Sequence, residues 1–248
     1  MTLLHESDKS FWHGFVDFYE PFFAGKQIET IAEIGIFKGN SIKWLLNRFP
    51  EALIYGADIL PIQKEWPIDK RFLFKQLDQG NVELLQTYFA QNTYDLIIED
   101  GSHFPEHQAM ALVEGFKKLN SNGLYILEDI HTSYRRYNSK KIGPVEYCGP
   151  QKGNALTVLL ALMHYQELGI SIDESKANLI SKDSLFTKDQ VFDLSKNIKR
   201  INFYRRAKLP QKCYSCGSID FNYSILKCNC GVEIFADADS MTFVIEKV

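Results

Sequence analysis

Short apolar runs alternate with amphipathic segments over the first half of the chain, and this alternation restricts the fold more than any other feature. Apolar runs of strand length that helices separate predict a parallel sheet with helices on both faces. The predicted strands cover residues 30–35, 53–58, 72–76, 94–99 and 124–128. The helices between them are predicted at residues 41–49, 82–89 and 107–119.

The two ends of the chain extend this pattern. Aromatic residues at helical spacing predict a helix over residues 10–24, and a further helix is predicted at 154–168. Residues 199–204 and 241–246 are predicted to pair as strands, with a cysteine-rich piece inserted between them. The predicted organisation is an N-terminal helical cap (1–27), a main α/β domain (28–248) and, within that domain, a small insertion (205–238).

The composition gives no indication of a nucleic-acid or membrane partner. The 248 residues carry a net charge of −3 and no basic run, which gives no indication of a nucleic-acid partner. No apolar segment approaches the roughly 18 residues needed to cross a bilayer. Acidic residues near the start replace the positive charge of a signal peptide. We therefore expect a cytoplasmic protein without a membrane partner.

Two glycines mark the turn after the first strand. Gly35 and Gly39 lie in the sequence Glu33-Ile-Gly-Ile-Phe-Lys-Gly39, where glycine lets the backbone pass close to a ligand. In an open α/β sheet, ligands bind at this carboxyl edge of the strands. Ser41 follows at the start of the next helix. Glycines after a strand are also compatible with a simple tight turn, so the motif is weak alone.

Acidic residues follow the next two strands. Asp58 ends the second strand, where a carboxylate can accept hydrogen bonds from ribose hydroxyls. Asp78 and Gln79 follow the third strand. In this arrangement the chain resembles the class I S-adenosylmethionine-dependent methyltransferases. The resemblance implies a Rossmann-like, seven-stranded sheet in a three-layer αβα fold. It also implies a cofactor site, whose candidate residues are Glu33, Gly35, Gly39, Ser41, Asp58, Asp78 and Gln79.

Carboxylates also follow the fourth and fifth strands. Asp100 ends one of them, and Glu128 and Asp129 end the other. Because parallel neighbours lie about 4.8 Å apart, these three acids can converge. Crowded carboxylates repel one another unless a cation or protons neutralise them, and hard oxygen ligands favour Mg²⁺, Mn²⁺ or Ca²⁺ over zinc. His103 is placed to take a proton from an acceptor hydroxyl. The alternative is that these residues are helix caps or surface acids, and His107 and His131 are less favoured candidates for the base.

The stretches 95–103 and 124–134 resemble a narrower family, the metal-dependent O-methyltransferases that modify macrolide deoxysugars. This resemblance covers roughly residues 28–135, and the final strands also fit. It implies that Asp100, Glu128 and Asp129 bind Mg²⁺ and that His103 is the general base. The cysteine insertion departs from the family pattern. The motif Ser7-Asp8-Lys9 with His13 is similar to an N-terminal segment that closes over the cofactor in related enzymes. A capped helix explains that motif equally well.

Four of the five cysteines lie within 18 positions of one another. Cys213 and Cys216 form a C-x2-C pair, and Cys228 and Cys230 form a C-x-C pair. Thiolate pairs on two tight turns predict a structural, tetrahedral zinc site, which would stabilise an insertion too small for its own core. The alternative is four reduced thiols in a loose insertion.

The residues and the resemblance together predict S-adenosylmethionine-dependent methyl transfer to a hydroxyl of a sugar, or of a glycosylated or nucleotide-linked small molecule. Basic residues of the loop 135–153 (Arg135, Arg136, Lys140 and Lys141) suit a phosphate-bearing acceptor or are simply solvated. The alternatives are a different polar acceptor (a phosphate-derived group or an amine), a hydroxylase- or hydratase-like enzyme and a non-catalytic ligand sensor. The resemblance also suggests a homo-oligomer.

Overall fold

The computed structural model describes residues 7–134, 152–235 and 240–248, and the backbone alone of 140–142 and 145–147. Arg135 and Arg136 of the basic loop and the end of the predicted insertion therefore lie outside the described residues, as do the side chains of Lys140 and Lys141. Among the described residues, no helix is both long and apolar enough to span a membrane.

A seven-stranded sheet forms the centre of the molecule. Its strand order is β3-β2-β1-β4-β5-β11-β8, in which the first five strands are parallel and β11 is antiparallel to both of its neighbours. The strands of this sheet are β1 (Thr30–Ile34), β2 (Leu53–Asp58), β3 (Phe72–Gln76), β4 (Tyr94–Glu99), β5 (Leu119–Leu127), β8 (Ile198–Arg205) and β11 (Met241–Lys247). Two short hairpins pair β6 (Lys140–Ile142) with β7 (Val145–Tyr147) and β9 (Phe221–Asn222) with β10 (Lys227–Cys228).

Helices cover both faces of the sheet. The described helices are α1 (Asp8–Phe11), α2 (Phe15–Phe23), α3 (Asn40–Arg48), α4 (Val82–Phe89), α5 (Pro105–Lys118), α6 (Ala155–Glu167), α7 (Glu174–Ser181) and α8 (Lys188–Asn197), with a 3-10 turn at Ile130–Ser133. Side chains of α2 and α3 pack with one set of strand residues, and those of α4, α5 and α6 pack with the alternate set. This alternation confirms the predicted three-layer α/β fold with a seven-stranded sheet.

Two predicted elements differ from the structure. The single helix over residues 10–24 was wrong, because Gly14 adopts a left-handed conformation (φ 71°) and separates α1 from α2. The fifth strand begins at Leu119 rather than at residue 124, so Asn122 and Gly123 lie inside the strand, where its pairing with β4 is irregular. Helices α7 and α8 were not predicted.

The loops after β1 and β4 lie at the point where strand order reverses. From β1 the chain crosses to β2 on one side, while β4 is its neighbour on the other. In doubly wound sheets, this switch point opens a crevice at the carboxyl ends of the strands. The candidate residues around Gly35 and Asp100 therefore meet at one edge.

Candidate functional site

The turn after β1 requires glycine at two positions. Gly35 has φ 89°, and a Cβ there would lie 1.9 Å from the carbonyl oxygen of Asp100. Gly39 has φ 75°, and a Cβ there would lie 2.8 Å from the ring of Trp66. Both positions combine a left-handed backbone with close contact, so neither tolerates a side chain. The glycines therefore bring the turn close to the end of β4.

Asp58 fixes the shape of this turn. Its Oδ2 accepts hydrogen bonds from the backbone amides of Ile36 (2.8 Å) and Phe37 (3.0 Å), and its Oδ1 accepts one from Leu60 (2.8 Å). The side chain is thus a backbone anchor in this structure. The predicted contact between Asp58 and a ribose remains a prediction.

Glu33 and Ser41 meet beneath the turn. The Ser41 hydroxyl donates to Glu33 Oε1 over 2.5 Å, and both residues are buried. Burial raises the pKa of Glu33 to about 7. This pair links the end of β1 to the first turn of α3, and Ser41 itself borders the cavity described below.

The two cofactor-site candidates after β3, Asp78 and Gln79, occupy different environments. Gln79 is buried, and its amide donates to Glu99 Oε1 (2.6 Å) while its oxygen accepts from the amide of Ser102 (2.8 Å). Asp78 is exposed and borders a shallow surface depression together with His107. Gln79 therefore orders the loop after β4, and Asp78 is the more accessible of the two.

A cavity of about 420 Å³ opens beside the glycine turn. One wall is formed by residues 35–38, a second by residues 7–9, and Asp100 and Ser41 also border it. Tyr214 and Ser215 of the cysteine-rich segment complete the lining. This volume falls in the range of small-molecule and cofactor sites.

Two of the predicted metal ligands and the predicted base converge around Asp100, which borders this cavity. One ligand atom from each of Asp100, His103 and Asp129 lies within 4.8 Å of the others. Glu128 is not part of this group, although it follows the same strand as Asp129. Its side chain is buried, and its Oε2 is 2.6 Å from the Lys9 ammonium.

Lys9 is the main feature of the site to which the sequence analysis assigned no role of its own. Its Nζ donates to Asp100 Oδ2 (2.5 Å) and Glu128 Oε2 (2.6 Å), and it lies 3.7 Å from Glu33 Oε1. Burial lowers the pKa of Lys9, but the three carboxylates outweigh this effect and raise the pKa well above its usual value. The N-terminal helix α1 therefore brings a permanent positive charge into the carboxylate group.

Asp129 has a different set of neighbours. The nearest nitrogens of His131, His103 and His13 lie 3.6, 3.8 and 3.9 Å from its carboxylate oxygens. Burial raises the pKa of Asp129, but these three imidazoles together hold it well below its usual value. Asp129 is therefore an anion at neutral pH, and its carboxylate oxygens can serve as metal ligands.

The donor set fits a hard divalent cation. Buried Oε1 of Glu128 has no hydrogen-bond partner among the described residues, so it is open to another ligand. Asp100 and Asp129 each add a carboxylate, the donor type that Mg²⁺ prefers. Burial raises the pKa values of Glu128 and Asp100 although Lys9 lies beside both, and a divalent ion at these oxygens would favour their charged forms.

The four clustered cysteines also fit a metal. Their sulfur atoms lie within 4.8 Å of one another, with 3.6 Å between Cys213 and Cys230 and 3.4 Å between Cys216 and Cys228. Tetrahedral zinc with bonds of about 2.3 Å separates its sulfurs by about 3.8 Å. The group is therefore close to the geometry that a zinc ion requires.

Comparison with known proteins relates the chain to one class of enzyme. It is 31% identical over 175 residues to 8-demethyl-8-(2-methoxy-alpha-L-rhamnosyl)-tetracenomycin-C 3'-O-methyltransferase of Streptomyces olivaceus. The aligned region covers 66% of this chain and 44% of the relative. It is 29% identical over 168 residues to mycinamicin VI 2''-O-methyltransferase of Micromonospora griseorubida, covering 64% of this chain and 41% of the relative. The chain is a homologue of the sugar O-methyltransferases. The matched region spans less than half the length of these relatives.

A solved structure agrees with the fold. The MycE methyltransferase of the mycinamycin pathway, solved in complex with Mg and SAH, aligns with a TM-score of 0.62 at 20% identity. The alignment covers 99% of this chain and 53% of MycE. At this identity the likeness shows the methyltransferase fold alone. No protein-family model matches the chain.

Proposed function

We propose that the chain is an S-adenosylmethionine-dependent, divalent-metal-assisted O-methyltransferase that acts on a sugar hydroxyl. The observation that carries the proposal is the convergence of Asp100, His103 and Asp129 beside the cavity at the glycine turn. A cofactor in that cavity and an acceptor at the carboxylates would lie side by side. Methyl transfer requires this arrangement, because donor and acceptor must be held in line.

The chemistry follows from the residues present. A divalent ion held by Asp100 and Asp129 would lower the pKa of an acceptor hydroxyl. Glu128, whose Oε2 binds Lys9, would join these ligands through its unpaired Oε1. His103 Nε2, which faces Asp129, accepts the hydroxyl proton. With S-adenosylmethionine bound, the acceptor oxygen would form a bond to the methyl carbon while the bond from sulfur to that carbon breaks. The products are a methyl ether, S-adenosylhomocysteine and a protonated His103, which Asp129 stabilises.

The acceptor class comes from the relatives. Their names specify a rhamnosyl group on tetracenomycin in one case and a mycinamicin sugar position in the other. We therefore propose a hydroxyl of a deoxysugar on a glycosylated small molecule as the acceptor, with a nucleotide-linked sugar as the other form of the same class. A cytoplasmic location and a homo-oligomeric state belong to this proposal too.

Calorimetric titration with S-adenosylhomocysteine tests the cofactor site. We expect a dissociation constant in the micromolar range for protein that keeps its zinc, after weakly bound metal is removed by gel filtration and Mg²⁺ is added. Methyl transfer to α-L-rhamnosyl glycosides should then require the added ion. Absence of binding at every Mg²⁺ and Mn²⁺ concentration would contradict the proposal, whereas binding without any transfer to glycosides would contradict only the acceptor class.

We also propose structural zinc at the four cysteines. We expect one zinc ion per chain by elemental analysis, falling to less than a tenth of that value in Cys213→Ser, because Cys213 is buried within the cluster. Four thiolates leave no open coordination position, so the ion would not take part in methyl transfer. A wild-type protein purified without bound metal, and unable to take up zinc afterwards, would contradict the site.

A further inference from the structure

The segment that carries the first cysteine pair reaches into the cofactor cavity. Tyr214 and Ser215 lie between Cys213 and Cys216, and both border the same cavity as residues 35–38. Half of the Tyr214 surface is exposed, so its ring is available to a ligand. The insertion that departs from the family pattern therefore forms part of the cavity wall.

Helix α1 is packed against the same cysteine segment. Trp12 shares a small apolar cluster with Cys213 and Cys228, and its ring centroid is 6.2 Å from that of Tyr214. The amide of Gln211 donates to the carbonyl of Phe11 (2.8 Å), which ties the two segments through their backbones. Since Lys9 lies on this helix, the cysteine segment also supports the wall that carries the Lys9 ammonium.

We propose that Tyr214 is a cofactor-binding residue and that a metal ion at the four cysteines holds it against the cavity. This inference rests on the proposed methyltransferase function and adds a binding residue that lies outside the glycine turn. The cysteine cluster fixes both ends of the short segment that carries Tyr214. Loss of the ion would release that segment and, through Trp12, helix α1.

The side chain of Tyr214 suits a binding role. Its phenol hydroxyl can donate a hydrogen bond, and its half-exposed ring offers apolar surface. A ligand such as S-adenosylhomocysteine presents both apolar and polar surface.

Titration of Tyr214→Ala with S-adenosylhomocysteine tests the contact. We expect the dissociation constant to rise at least tenfold, while zinc content stays at one ion per chain and the melting temperature changes little. Tyr223→Ala is the matched control. Tyr223 is an exposed tyrosine that lies between the two cysteine pairs, and it does not border the cavity. Its affinity should match the wild type. Equal affinity of Tyr214→Ala and wild type would overturn the inference.

The metal dependence is measured on the full chain. Removal of zinc by a chelator should weaken S-adenosylhomocysteine binding at least as much as Tyr214→Ala does, and added zinc should restore it. Metal-free protein that binds with wild-type affinity would overturn the role of the ion. If the zinc-loaded wild type and Tyr223→Ala both fail to bind S-adenosylhomocysteine, the proposed function and this inference are both overturned. If the wild type and Tyr223→Ala bind it and Tyr214→Ala binds it equally well, only this inference is overturned.

Discussion

Replacement of His103 with alanine is expected to lower kcat/KM for methyl transfer by about 10²- to 10⁴-fold, the usual contribution of a positioned general base. The affinity for S-adenosylhomocysteine should change by less than about threefold, because His103 does not border the cavity. Initial rates with an α-L-rhamnosyl glycoside and calorimetry measure the two quantities.

Two further histidines serve as controls for this assignment. His107 bonds to the Ser102 hydroxyl (2.8 Å), and His131 lies beside Asp129, so each variant to alanine should lose less activity than His103→Ala. A loss in either control that exceeds the loss in His103→Ala would move the base to that residue. Full activity of His103→Ala would remove the base from the mechanism.

Gly35→Ala should lower the free energy of unfolding by roughly 3–5 kcal/mol, from left-handed backbone strain and overpacking together. The new Cβ would meet the carbonyl oxygen and carbon of Asp100, which are backbone atoms that cannot move aside easily. Urea unfolding measures the change. Because a domain has only about 5–15 kcal/mol of stability, the variant should be close to unfolding at 37 °C.

Gly169→Ala separates the two causes. Gly169 also has a left-handed backbone (φ 67°), but a Cβ there would meet no atom within 4 Å. This control should lose only about 1 kcal/mol, the cost of the backbone conformation. Equal losses in the two variants would show that the close approach between the glycine turn and β4 has no energetic consequence.

The sheet was predictable because its strands are continuous apolar runs bounded by polar turns. Strands β2, β3 and β4 match the predicted bounds, and so does α4. Gly14 was visible in the sequence, but a periodic aromatic pattern on both sides of it favoured one helix. Helix α8 was missed although Thr187 and Gln190 form a capping box, because the helix presents few apolar residues.

The site was only partly predictable. Parallel topology alone brings Asp100 near Asp129, since both follow neighbouring strands. The position of Lys9 depends on how the N-terminal helix packs against residues 91 and 119 positions away, and no local pattern encodes that contact. For the same reason the sequence placed the cysteine cluster between two strands but not against Trp12.

Three non-glycine residues with left-handed backbone surround the cavity and its carboxylates. Phe37, His103 and Asp129 have φ values of 49°, 59° and 48°. Each such residue costs on the order of 1 kcal/mol, and glycine would remove that cost. Selection of variants for thermal stability alone would therefore favour glycine at these positions, and at two of them it would remove His103 and Asp129, the side chains that carry the proposed chemistry.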